Sequence, residues 1–176
     1  VALIEDGNIE TVRASGKIAA LEDKLKTKHL HGHVGIAHTR WATHGAPTEQ
    51  NAHPHQSFDG KISIVHNGII ENYAILKKKL QAEGIEFKSE TDTEVVAHLI
   101  ARYYKGNLKE AVLKAISKIE GTFGLAVICK DEPDTMIGAR RGSPLILGIG
   151  QNEFYLASDV SAIIMHTQKV VYLDDN

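Results

Sequence analysis

The chain has 176 residues, about the size of one ordinary domain, and its 43% hydrophobic content is enough to build a full core. Twenty Lys and Arg against 22 Asp and Glu give a net charge of -2 with histidine neutral and no block of like charge, so no nucleic acid and no anionic membrane is indicated as partner. No stretch approaches the ~20 apolar residues of a membrane span, and the single cysteine, Cys129, has no intramolecular disulfide partner, which fits a reducing, cytoplasmic setting.

The opening Val-Ala-Leu-Ile runs at once into Glu5 and Asp6, too short and too acidic for a signal peptide. Residues 1–4 and 9–13 flank Glu5-Asp6-Gly7-Asn8, and Asp-Gly tolerates the positive φ of a tight turn, which predicts a β-hairpin. Ile18, Leu21 and Leu25 recur at helical spacing, so a short amphipathic helix is expected over about 17–26 with Ser15 as its cap. A strand over 34–38 leads into a long polar loop, 39–60, and long loops in compact domains usually carry function. Residues 61–66 read as a strand stopped by Asn67-Gly68, after which Ile69, Ile70, Tyr73, Leu76 and Leu80 form a helical stripe ending at Gly84. Helices are predicted over 93–104, with Asp92 as N-cap, and over 108–119, with Asn107 and Glu110 at capping spacing. The rest reads as strands over 122–130, 136–140, 145–149, 154–157 and 169–173, with a short helix at 160–164. Strands at both ends with amphipathic helices between them predict an α+β layered fold, and without repeat or linker the whole of 1–176 is expected to be a single domain.

Eight of the ten histidines fall between residues 29 and 66, which directs attention there. His38-Thr39-Arg40-Trp41-Ala42-Thr43-His44-Gly45 opens the long loop. Its Arg40 suits a bidentate grip on a carboxylate, though a surface pair with a local acid is equally open. In Val65-His66-Asn67-Gly68, an amide side chain and a glycine N–H could donate to an oxygen that gains charge in acyl transfer, or could form a plain Asn-Gly turn. Ser89-Glu90-Thr91-Asp92-Thr93-Glu94 suits helix capping, while Asp92 could also pair with a substrate ammonium. His29, His31 and His33, like His53 and His55, alternate as potential metal-ligand pairs, but no zinc-type spacing accompanies them, and hydrogen-bonding loop histidines are favoured. Cys129 is in phase with Phe123, Leu125 and Val127, so it is expected in the core and not as a nucleophile. Gly142-Ser143-Pro144 after Arg140-Arg141 reads as a turn before an anion site.

Taken together, residues 38–45, Asn51-Ala52-His53-Pro54-His55, His66-Asn67-Gly68-Ile69-Ile70-Glu71-Asn72 and residues 89–94 closely resemble the glutaminase (type 2 glutamine amidotransferase) domain of glucosamine-6-phosphate synthases, the isomerizing glutamine:fructose-6-phosphate aminotransferases. Arg140-Arg141-Gly142-Ser143-Pro144-Leu145 and Ala157-Ser158-Asp159 extend the resemblance over nearly the whole chain. It implies a four-layered αββα sandwich of the N-terminal-nucleophile (Ntn) hydrolase type, here incomplete, with L-glutamine as substrate. Arg40 would bind the α-carboxylate with Thr43 and His44, Asp92 the α-ammonium, Asn67 and Gly68 would form the oxyanion hole, and Trp41 would gate ammonia. No cofactor and no metal are implied. Fructose 6-phosphate would be reached through isomerase domains outside the chain, and a homo-oligomer is expected.

In that family the nucleophile is a cysteine at the mature N-terminus whose own α-amino group acts as base. This chain starts at Val1, and its first residues resemble the family's second strand, so the expectation is a fragment that is inactive alone. Two alternatives stand beside this reading: the glutaminase domain of another class such as amidophosphoribosyltransferase, and a noncatalytic His-rich metal-binding module.

Overall fold

The computed structural model describes residues 1–28, 30–40 and 45–175. In chain order the elements are β1 (Ala2–Glu5), β2 (Asn8–Thr11), α1 (Ile18–Lys26), β3 (Val34–Ile36), β4 (His55–Gln56), β5 (Ile62–Ile70), α2 (Tyr73–Ala82), α3 (Thr93–Tyr103), α4 (Leu108–Ile116), β6 (Gly121–Cys129), β7 (Met136–Arg141), β8 (Ile146–Ile149), β9 (Phe154–Ala157), a short 3-10 turn (Val160–Ala162) and β10 (Val170–Tyr172). They form three antiparallel sheets in the orders β2-β1-β3, β4-β5-β6-β7 and β10-β8-β9.

Side-chain alternation along the two longest strands decides the layering. Phe123, Leu125, Val127 and Cys129 of β6, with Ile62 and Ile64 of β5, pack under Val95, Val96, Leu99 and Ile100 of α3 and Leu108 and Val112 of α4. Ala126, Ile128 and Val65 point the other way and bury Ala2, Ile4 and Ile36 of the β2-β1-β3 sheet. The third sheet closes on the same side, where Leu156 of β9 lies so near Gly138 of β7 that a Cβ there would sit 2.9 Å from it. Helix, sheet and sheet therefore stack as the α+β reading expects. Cys129 is a free thiol buried in this core, as its phase on the strand predicts.

The hairpin forms around Asp6 and Gly7, both at positive φ. Elsewhere the sequence expectations need correcting. α1 is present, but Ser15 does not cap it: Lys17 occupies the N-cap without a side-chain bond, and no residue of the helix is buried. Lys24 anchors it instead, donating to Arg13 O at 2.9 Å and pairing with Glu49. The long polar loop contains a short strand, β4, paired with Ile64 and Ser63. β5 does not stop at Asn67-Gly68 but runs on to Ile70, in register with β6 through Asn67↔Gly124 and Gly68↔Phe123. Gly68 at φ +125 absorbs this inside the ladder, so the Asn-Gly pair is not a turn, and the stripe of α2 reduces to buried Leu76 and Leu80. Asn107 does cap α4, accepting from Glu110 N at 3.0 Å.

Candidate active site

The ends of several elements meet at one cavity of about 190 Å³, well below the roughly 300–1,000 Å³ of drug-sized pockets. His38, Thr39 and Arg40 enter it from the chain leaving β3, His53 from the polar loop, His66, Asn67 and Gly68 from β5, and Thr91, Asp92 and Thr93 from the corner into α3. Arg40, Asp92, Asn67 and Gly68, proposed from separate motifs, thus share a single cavity. Thr43, His44 and Trp41 lie outside the described residues.

Asn67 is held by its acceptor end. Its Oδ1 lies 2.7 Å from His38 Nε2, and a carbonyl oxygen can only accept, so His38 carries its proton on Nε2 and donates it. That contact sets the plane of the amide and so the direction of its NH₂ group. Gly68 is pressed against β6: a Cβ at this position would lie 2.2 Å from Thr122 O. Only glycine lets the backbone come this close, which places an N–H and a side-chain amide side by side on one strand.

Asp92 occupies the N-cap position of α3 but makes no capping bond there. Its Oδ2 instead accepts from Ile70 N at 2.9 Å, so the end of β5 aims the carboxylate. Thr91 takes over the capping, its hydroxyl accepting from Glu94 N at 3.4 Å. Arg40 donates through Nη1 to Ala46 O at 3.3 Å and through Nη2 to Gly45 O at 3.2 Å, which fixes the plane of its guanidinium against the loop.

Buried histidines and hydroxyls form the floor. The Thr93 hydroxyl lies 3.0 Å from both His53 Nε2 and His66 Nδ1, while His66 Nε2 faces Thr122 O at 3.4 Å. A neutral His66 with its proton on Nε2 satisfies this arrangement, with Thr93 donating to Nδ1 and accepting from His53. His55 Nε2 reaches Thr91 Oγ1 at 3.1 Å, and Ser89 Oγ donates to Glu94 at 2.6 Å. Burial holds His38, His53 and His66 below their ordinary pKa, and holds His55 down to about 3. Burial alone would raise the Glu94 carboxyl, but hydrogen bonds from His98, Ser89 and the backbone N–H groups of Lys88 and Ser89 bring it down to about 2.

His53, His55 and His66 each place a ring nitrogen against a threonine hydroxyl, as hydrogen-bonding histidines do, and among the described residues no three metal-ligating side chains gather; His29 lies outside them. His31 and His33 sit exposed, outside any strand. The Arg140-Arg141 turn is also self-contained: Arg140 donates to Ser143 O and Leu173 O and pairs with Asp175, and Arg141 donates to Ile119 O beneath its stack on Phe123. Sequence reasoning gave Thr91 and Thr93 no role beyond helix capping, read His53 as a hydrogen-bonding loop histidine, and gave His38 and His66 no role of their own.

Fold and site together define an amidotransferase of the Ntn type. Two solved structures share the fold: glutamine phosphoribosylpyrophosphate (PRPP) amidotransferase from B. subtilis, complexed with ADP and GMP, at TM-score 0.62 and 29% identity over 77% of this chain and 29% of that one, and an allosteric regulatory enzyme of purine biosynthesis, at 0.75 and 28% over 98% and 37%. Residues 18–176 match the model of the glutamine amidotransferase domain, and the chain belongs to that family. It is 52% identical over 176 residues to the glutamine--fructose-6-phosphate aminotransferase [isomerizing] of Clostridium tetani and 54% identical over 175 residues to that of Aquifex aeolicus. The chain spans 29% and 30% of these relatives' lengths.

Proposed function

We propose that residues 1–176 act as a single glutamine-binding glutaminase domain of a glutamine--fructose-6-phosphate aminotransferase. Arg40 binds the substrate α-carboxylate, assisted by Thr43 and His44, and Asp92 binds the α-ammonium. The Asn67 amide and the Gly68 N–H donate to the oxygen that becomes anionic when the side-chain amide of glutamine is attacked. Trp41 shields the site and gates the released ammonia, which the whole enzyme passes to fructose 6-phosphate to make glucosamine 6-phosphate. One observation carries this reading: a cation, an anion and an amide donor pair, drawn from three distant segments, line one cavity sized for a small metabolite.

The one cysteine of these residues, Cys129, is buried in the core and absent from the cavity wall. These 176 residues should therefore bind glutamine without turning it over. Isothermal calorimetry should show saturable L-glutamine binding, weakened roughly tenfold or more in Arg40→Lys, because an ammonium cannot make the two parallel bonds of a guanidinium. No saturable heat overturns the assignment of the pocket, and steady glutamate release by the purified chain overturns the expected lack of turnover.

A further inference from the structure

The two charged ends of this site come from segments with no covalent reason to keep a fixed separation. Arg40 belongs to the loop after β3, and Asp92 to the corner before α3. Between them stands a small polar cluster that the proposed chemistry does not use. The side chain of Asn51, 3% exposed, donates through Nδ2 to Ala46 O at 3.0 Å and to Glu90 Oε2 at 3.1 Å, while its Oδ1 accepts from Glu90 N at 3.0 Å. Glu90 Oε2 also accepts from Ala46 N at 3.4 Å.

Each end of this cluster joins one half of the site. Ala46 O, which Asn51 holds, is the same oxygen that receives Arg40 Nη1, and the neighbouring Gly45 O receives Nη2. On the other side, Glu90 precedes Thr91 and Asp92 directly in the chain, and Asn51 grips its backbone N–H as well as its carboxylate. Gln50 adds a parallel stitch by donating to Lys88 O. Gly45 permits the close approach: at φ +80, a Cβ there would lie 2.7 Å from Asn51 Nδ2 and 3.0 Å from Glu90 Cβ.

We propose that Asn51 and Glu90 are positioning residues that act as a spacer, holding the Arg40 loop and the Asp92 corner at the separation required by the carboxylate and ammonium of one α-amino acid. This rests on the reading of Arg40 and Asp92 as the two headgroup ligands. Its consequence is selective: loosening the spacer harms a ligand that must reach both ends and spares a ligand that reaches only one.

The test is calorimetric titration of the chain and its variants with L-glutamine, with N-acetyl-L-glutamine, which lacks the ammonium, and with L-glutamine α-amide, which lacks the carboxylate. Asn51→Ala and Glu90→Ala should each weaken L-glutamine roughly tenfold while changing the analogues less than about twofold. Glu90→Gln, whose carbonyl oxygen can still accept from Asn51 and Ala46, should recover most of the affinity. Thermal melts confirm that each variant is folded, and Glu90→Gln keeps the test decisive if an alanine variant is not. Failure of the unaltered chain to bind glutamine overturns the headgroup reading itself. Normal binding by that chain, with variants that match it or weaken all three ligands in parallel, overturns the spacer alone.

Discussion

Gly68 carries the tightest steric requirement of the site. Its φ of +125 lies where an L side chain is strained, and the missing Cβ is replaced by Thr122 O at a distance no carbon could share. Gly68→Ala should therefore cost at least about 3 kcal/mol in urea denaturation, since the clash is with backbone and cannot be relieved by a rotamer change. The same substitution should abolish glutamine binding in whatever fraction stays folded, because β5 must part from β6 where Asn67 and Gly68 are presented. A loss below about 1 kcal/mol would mean that the two strands are not held as closely as Gly68↔Phe123 pairing requires.

At the level of elements, the corner into α3 is built more firmly than a loop would be. Glu94, 3% exposed, accepts from Lys88 N at 2.8 Å, Ser89 N at 2.7 Å and Ser89 Oγ at 2.6 Å, so a helix residue holds the segment that leads into Asp92. Glu94→Gln keeps the shape but turns an NH₂ group toward donors, and bonds to a charged acceptor are the stronger kind. It should cost roughly 2–3 kcal/mol and speed hydrogen exchange at Ser89. Asn107→Ala, which removes an ordinary cap, should cost only about 1 kcal/mol in the same denaturation experiment. Equal losses would show that the Glu94 anchor is no stronger than a surface cap. The Asn107 cap, the Asp6-Gly7 turn and the alternation of β6 were legible in sequence because each depends on residues a few positions apart. The continuation of β5 through Asn67-Gly68 was not, because it is decided by Gly124 and Phe123 on another strand. Likewise the capping of α3 passed from Asp92 to Thr91 because Ile70 N claims the carboxylate, a partner that no local pattern reveals. The candidate site was legible as a set of residue types, and only the fold shows that they face one cavity.

For the molecule as a whole, the histidines under the cavity couple site architecture to acid stability. His38, His53, His55 and His66 gather there, with ring centroids 4.2 Å apart for His38 and His53 and 4.9 Å for His53 and His55. Arg40 and Arg13 add positive charge nearby, while Asp92 and Glu94 oppose it. Burial lowers all four imidazoles from their ordinary pKa of 6.5, His55 to about 3. The unfolded chain therefore takes up protons at a pH where the folded chain does not, and stability present above about pH 6.5 is lost as the pH falls toward 3. His55 alone accounts for as much as about 5 kcal/mol of this loss. Glu94 adds its share lower down, because its folded value of about 2 against 4.5 makes its contribution full above about pH 4.5 and lost on the way to pH 2. The imidazole and Glu94 contributions to the unfolding free energy should thus be level above about pH 6.5, begin to fall there, and steepen below pH 4.5, as measured by urea denaturation in steps of pH, following a smaller loss between about pH 8 and 6 where burial holds the Val1 amine down to about 6. His55→Gln keeps an amide that can pair with the Thr91 hydroxyl as donor or acceptor and does not titrate, so it should flatten the upper part of that fall and leave the lower part in place. A profile that stays level to pH 4.5, or that His55→Gln leaves unchanged, would mean that the imidazoles are not sealed from water beneath the cavity.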